Sequence, residues 1–173
     1  AVQANLSRRP NWQIFETGQA FSFRGLRVHP FSVPHDAYAP VGFFLEWGGE
    51  DLFNPRESLA WVTDLGHAPA LVREKIAKAA ILVIEANHCP DMLERDTKRP
   101  WSLKQRIRGR HGHLSNGATR ELLHSIENPR WKEIYLGHLS KDCNVVNLVR
   151  DAFASLPRNG SSLATYVVDP TTA

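Results

Sequence analysis

A chain of 173 residues, 42% hydrophobic and 23% charged, is long enough for one domain with its own core, and its composition is not that of a disordered chain. No apolar run approaches the roughly 20 residues of a membrane-spanning helix, and the N-terminus lacks a charged-then-apolar leader, so a soluble, cytoplasmic protein is expected. The formal charge of +3 permits an anionic substrate, and two cysteines, Cys89 and Cys143, exclude a disulfide framework or a Cys-x-x-Cys zinc site.

Residues 1–13 show no period. Ala20 to Phe23 alternates, Arg24-Gly25 turns the chain, and Leu26 to Val33 alternates again before stopping at Pro34, which predicts a β-hairpin with His35 just beyond it. His29 shares the parity of Phe31 and Val33 and reads as a packing histidine. Val41 to Trp47 predicts a further strand, followed by a turn at Gly48 to Asp51 and a polar loop ending near Glu57. The stretch Ala60-Trp61-Val62-Thr63-Asp64-Leu65-Gly66-His67 reads as a buried strand that ends in a carboxylate. In layered α/β folds the carboxyl ends of strands open onto the ligand crevice, so Asp64 is placed either to hold a metal or to cap the next helix.

Ala68 to Ala79 predicts an amphipathic helix, and Ile81 to Ile84 a strand buried on both faces that ends in Glu85, Asn87 and His88. A strand, helix, strand order implies parallel neighbours joined by a crossover. Pro90 to Arg110 is the most charged part, open to two readings: a solvated helix face with internal ion pairs, or a phosphate-facing edge running into His111-Gly112-His113. Ser115 and Asn116 can cap a helix from about Ala118 to Glu127. A short strand, Ile134 to Leu136, ends at His138. A helix from Asn144 to Leu156 and a strand from Leu163 to Val168 close the chain.

Several strand ends or turns thus carry a histidine or aspartate beside Gly, Ser or Asn, a donor set suited to zinc, manganese or iron. The stretches His35 to Phe43, Thr63-Asp64-Leu65-Gly66, Glu85-Ala86-Asn87-His88, Leu103 to Gly109, Gly112-His113-Leu114-Ser115-Asn116 and His138-Leu139-Ser140 resemble, in order, the motifs of the metallo-β-lactamase-fold hydrolases, most of all the WalJ/YycJ-like branch related to ribonuclease Z and the phosphodiesterase PhnP. The resemblance implies an α/β fold, the αββα sandwich, with two divalent metal ions at one edge of its sheets. It implies that His35 is a ligand of one metal, Asp64 the bridging carboxylate and His138 a ligand of the second. It further implies that His113 contacts the scissile phosphate, that His88 is a nearby catalytic helper, and that Arg106, Arg108, Ser115 and Asn116 are on the substrate side. His67 and His111 match no ligand.

The family's His-x-His-x-Asp-His signature is absent, and the one His-x-His here, His111-Gly112-His113, continues into Leu114-Ser115. Residues 1–173 are therefore expected to be a single partial domain, the C-terminal portion of the sandwich. The activity implied is a metal-dependent phosphodiesterase, a 5′-to-3′ exonuclease acting on DNA. Two alternatives stand beside it: a thioester or lactam hydrolase of the same fold, and a truncated or degenerate domain without catalysis.

Overall fold

Arg24 and Gly25 both adopt positive φ, 49° and 82°, which is the backbone of a type I′ turn, and they fold β1 (Phe21–Phe23) onto β2 (Leu26–Ser32). The computed structural model describes residues 12–49, 53, 55–156 and 163–169. The irregular opening up to residue 11 and most of the polar loop around 50–54 lie outside the described residues. The antiparallel run continues through β3 (Val41–Trp47) to β4 (Glu57–Val62). From there the strands are parallel: β4, β5 (Ile81–Glu85), β6 (Glu133–Gly137) and β7 (Ala164–Val167). Spatial order equals chain order across the seven-stranded sheet.

The expected helices form, α1 (Ala70–Lys78) and α5 (Val146–Phe153) with shorter limits and α4 (Asn116–His124) shifted toward the N-terminus, starting at Asn116 instead of Ala118. The charged stretch is two helices, α2 (Pro90–Arg95) and α3 (Trp101–Arg108). Pro100 separates them, since its ring blocks a continuous helix. Helix α4 ends before Glu127 because Ser125 closes it, its hydroxyl donating to Leu122 O at 2.7 Å.

Period-two alternation decides which face each strand buries. Phe44, Ala60, Val62, Leu82, Ile84, Ile134 and Leu136 point to one face and meet Val72 and Ile76 of α1, Leu122 and Leu123 of α4, and Val149 and Phe153 of α5. Each large side chain buried there contributes on the order of 2 kcal/mol. The indole of Trp131 donates to Ile76 O at 2.7 Å and ties the end of this layer to α1. His29 packs edge-on against Phe44 and pairs with Glu46 at 2.9 Å, as a packing histidine should.

The opposite face carries the row Phe43, Trp61, Val83, Tyr135 and Tyr166, one residue per strand in register. Phe15 covers one end of it against Phe21 and Phe43, while Trp61 is 50% and Tyr166 47% exposed. An apolar row of this length attracts other apolar surface. This chain on its own is expected to associate reversibly and to bind a hydrophobic dye; Trp61→Lys combined with Tyr166→Lys should shift light scattering toward the monomer and reduce the dye signal several-fold.

Candidate metal centre

The parallel strands β4, β5 and β6 end side by side, and each delivers one polar residue to the same edge: Asp64, Glu85 and His138. Glu85 is fully buried. Its Oε2 lies 3.2 Å from Asp64 N, 3.1 Å from His113 Nδ1 and 3.0 Å from His138 Nδ1, and its Oε1 accepts from Leu65 N at 3.1 Å and Leu114 N at 2.8 Å. Burial pushes against ionisation, but the donors from His113, His138 and Leu114 outweigh it and hold the carboxyl down at about 2. An ionised carboxylate only accepts hydrogen bonds, so both imidazoles carry their proton on Nδ1 and turn Nε2 outward. The same bond raises the pKa of His138, against its partial burial.

His35, from the β2–β3 loop, is fixed in the same sense, its Nδ1 donating to Gly112 O at 3.2 Å. The outward Nε2 atoms of His35 and His138 lie 3.7 and 3.5 Å from one oxygen of Asp64, Oδ1. Two imidazole lone pairs thus face a shared carboxylate, each ring anchored through its far nitrogen, as metal-binding histidines usually are. His113 belongs to two groups whose ligand atoms lie within 4.8 Å of one another, with His35 and Asp64 and with Glu85 and His138. The nitrogen that His113 brings within 4 Å of Asp64 Oδ1 is Nδ1, at 3.9 Å, which is protonated toward Glu85, whereas His138 faces Asp64 with its unprotonated Nε2, and Glu85 already accepts five hydrogen bonds. The lone pairs that converge on Asp64 are therefore those of Nε2 on His35 and His138, and the set of His35, Asp64 and His138 fits a divalent ion of the zinc or manganese kind.

Asp64 and His138 both sit in the left-handed region, at φ 60° and 55°, a conformation that costs a non-glycine residue about 1 kcal/mol or more. Asp64 is held there by its N–H bond to Glu85, and His138 by Asn87 Nδ2, which donates to its carbonyl at 2.9 Å. His113 arrives on the turn after α3. Gly66 and Gly112 make that turn possible: a Cβ on Gly66 would strike Gly109 O and the Arg110 backbone, and one on Gly112 would strike Ile107 O and Arg106 O.

The remaining expected residues divide. His88 lines a cavity of about 330 Å³ together with Asp64, His113 and His138. It is 2% exposed, its Nδ1 has no partner among the described residues, and burial lowers its pKa to about 4. Ser115 is the N-cap of α4, accepting from Ala118 N at 3.1 Å, and Asn116 is buried against Asn144, so neither side chain is turned to a ligand. Arg106 pairs with Asp36, and Arg108 with Glu94 at 2.5 Å. The reading of ion pairs internal to the charged segment thus holds for Arg108, whereas Arg106 is paired outside it. Glu85 and Asn87 are the residues that sequence reasoning left without a role.

The fold and this edge of strand ends define the class: a mixed sheet with a candidate metal centre where its parallel strands end. Residues 1–138 match the beta-lactamase superfamily domain, and the chain belongs to that family. It is 37% identical over 135 residues to exodeoxyribonuclease WalJ of Streptococcus pneumoniae serotype 2 (strain D39 / NCTC 7466), covering 78% of this chain and 47% of that protein. To exodeoxyribonuclease YycJ of Bacillus anthracis it is 34% identical over 137 residues, 79% of this chain and 49% of the relative. The chain spans about half the length of these relatives. Among solved structures, the metallo-beta-lactamase fold protein YhfI of Bacillus subtilis superposes with a TM-score of 0.61 at 10% identity, over 97% of this chain and 57% of its own. Zn(2+)-bound PqqB of Methylobacterium extorquens follows with a TM-score of 0.57 at 23% identity, over 90% of this chain and 50% of its own. The chain thus has the metallo-β-lactamase fold.

Two outcomes follow from this geometry. Glu85→Gln replaces a full acceptor with a group that must point N–H bonds at other N–H bonds, so chemical denaturation should register a loss of about 3 kcal/mol. His88 is neutral when folded but takes a proton near pH 6.5 when unfolded; with its folded pKa at about 4, stability falls as pH drops from about 6.5 to about 4 and then levels, by up to about 3 kcal/mol in all. His138, with a raised pKa, contributes with the opposite sign. The contribution of His88 is therefore read as a difference: thermal unfolding of His88→Gln between pH 4 and 7 should lose that part of the slope.

Proposed function

We propose that the protein is a metal-dependent phosphodiesterase that removes nucleotides from DNA ends, with two divalent ions held in part by His35, Asp64 and His138. The observation that supports this best is the pair of anchored imidazoles whose Nε2 atoms face the same oxygen of Asp64, at 3.7 and 3.5 Å. The relatives named exodeoxyribonucleases support the substrate class. Divalent ions, when bound, supply Lewis acidity and a lowered pKa for water.

This chain's residues do the rest. Asp64 carries the charge that offsets repulsion between cations. Glu85 keeps His113 and His138 in one tautomer, so that His113 presents Nε2 to the cavity next to Asp64. When a phosphodiester occupies that cavity, His113 protonated on both nitrogens can donate from Nε2 to a phosphate oxygen or to the departing oxygen, while Glu85 stabilises the positive ring. Three side chains are fewer than two ions require, so this chain alone should bind fewer than two ions by elemental analysis.

In the full-length protein, Asp64→Asn and His138→Ala are expected to lose metal together with activity. His113→Ala should keep its metal and fold while turning over a labelled DNA strand about a hundredfold to ten-thousandfold more slowly. Its deficit should shrink on a nitrophenyl phosphodiester, whose leaving group needs little protonation. Elemental analysis and single-turnover rates on the three variants check this. Equal metal loss in His113→Ala and His138→Ala would make His113 a ligand, and hydrolysis of thioesters with no action on phosphodiesters would replace the reaction class.

A further inference from the structure

The cavity of about 330 Å³ at the centre is lined by several hydrogen-bonding side chains, and nearly all of them have partners within the chain. Asn87 Nδ2 donates to the His138 carbonyl, Arg99 is held by Asp96 and Asp142, and Ser140 Oγ accepts from Cys143 N at 3.2 Å. His113 and His138 donate to Glu85, and Thr63 donates to Asp64. The ring of His88 lines the same cavity and has no hydrogen-bonding partner among the described residues.

The place of that ring is nonetheless fixed. His88 follows β5 and bridges in parallel to Ser115, and its carbonyl accepts from Asn116 N at 3.0 Å. On either side of it, Asn87 N donates to Leu114 O at 3.0 Å and Cys89 N to Cys143 O at 2.9 Å. The backbone thus holds a nearly buried imidazole at the cavity wall, and packing alone gives no reason for a polar ring there.

Of the two ring nitrogens, Nδ1 is sealed from the surface and without a partner, whereas Nε2 is not sealed, so the ring opens through Nε2. A proton on Nδ1 would be a buried donor with no acceptor, which is less tolerable than a bare lone pair in the same place. The neutral ring therefore carries its proton on Nε2. That is the reverse of His35, His113 and His138, whose protons are on Nδ1 and whose Nε2 atoms keep their lone pairs. A ring nitrogen that carries a proton does not ligate a metal, but it donates.

We propose that His88 contacts the substrate, donating its Nε2–H to a non-bridging oxygen of the scissile phosphate. This rests on the phosphodiesterase reading and names the uncharged group that holds its substrate's phosphate. The bond transfers no proton, which separates its part from that of His113. Burial holds the pKa of His88 at about 4, so the ring stays neutral and adds no charge to repel cations beside it. As charge builds on the phosphate oxygens, a donor already in place strengthens its bond without reorganising.

The test uses the full-length protein loaded with zinc and labelled DNA strands, either ordinary or with one phosphorothioate of defined configuration at the scissile position. His88→Met removes the donor and keeps the bulk; it should hold the same metal while its single-turnover rate falls about a hundredfold to a thousandfold. His88→Gln places an amide N–H near the position of Nε2 and should recover about tenfold of that loss. His88→Asn, whose amide reaches only as far as Nδ1, should not. Sulfur accepts hydrogen bonds weakly, so the loss in His88→Met should shrink on one phosphorothioate diastereomer and persist on the other. In the unsubstituted protein, nitrogen NMR shifts should show the proton of His88 on Nε2 and those of His113 and His138 on Nδ1. An unreduced rate in folded His88→Met, an equal loss on both diastereomers, or a His88 proton on Nδ1 overturns this inference alone. Absence of phosphodiester cleavage by the unsubstituted protein overturns it together with the phosphodiesterase reading.

Discussion

A single buried carboxylate organises this molecule's functional edge. Glu85 receives N–H groups from the backbone of Asp64, Leu65 and Leu114 and from the rings of His113 and His138. A charge in that position would be costly if any large part of this set were missing, because the donors replace the water that burial removes. The end of β4, the end of β6 and the turn after α3 are therefore tied to one point. Their mutual spacing, and hence the distance between imidazole nitrogens across Asp64, follows from satisfying Glu85.

Around that point the structure holds conformations the chain would not choose locally. The left-handed backbones of Asp64 and His138 aim their side chains at one another, and the compensation lies behind them: Asn87 reaches the His138 carbonyl, and Asn144 reaches the Ala86 and Asn87 carbonyls while pairing with Asn116. The apolar layer beneath, with Val62, Ile84 and Leu136 fully buried just before those strand ends, supplies stability that such strain draws on.

Much of this was legible in the sequence because the signals are local. Alternation marked the strands, the apolar run of β5 marked a strand buried on both faces, and the strand-end positions of Asp64 and His138 survived intact. Proline and serine set limits that periodicity left open, as at Pro100 and Ser125. What could not be read was pairing over distance. Asp36 finds Arg106 70 residues away and Asp142 finds Arg99 43 residues away, so the charged segment resembled a phosphate edge until its partners were in place. Glu85 was visible as an acid ending an apolar strand, and a charge that a sheet edge would otherwise expel is the signal that could have marked it. Its role needed donors 20 to 53 residues away.

The wide spacing of those donors also bears on how the chain reaches its native state. Strands β4 and β5 can pair as soon as α1 closes the short crossover between them, but the end of β5 cannot lose its water until the turn at His113 and the end of β6 have arrived. Long-range contacts of this kind form late, since loop closure must precede any gain from them. On a growing polypeptide, Glu85 would stay hydrated until His138 has been synthesised and β6 has added to the sheet. The candidate metal centre is then the last part of this edge to assemble.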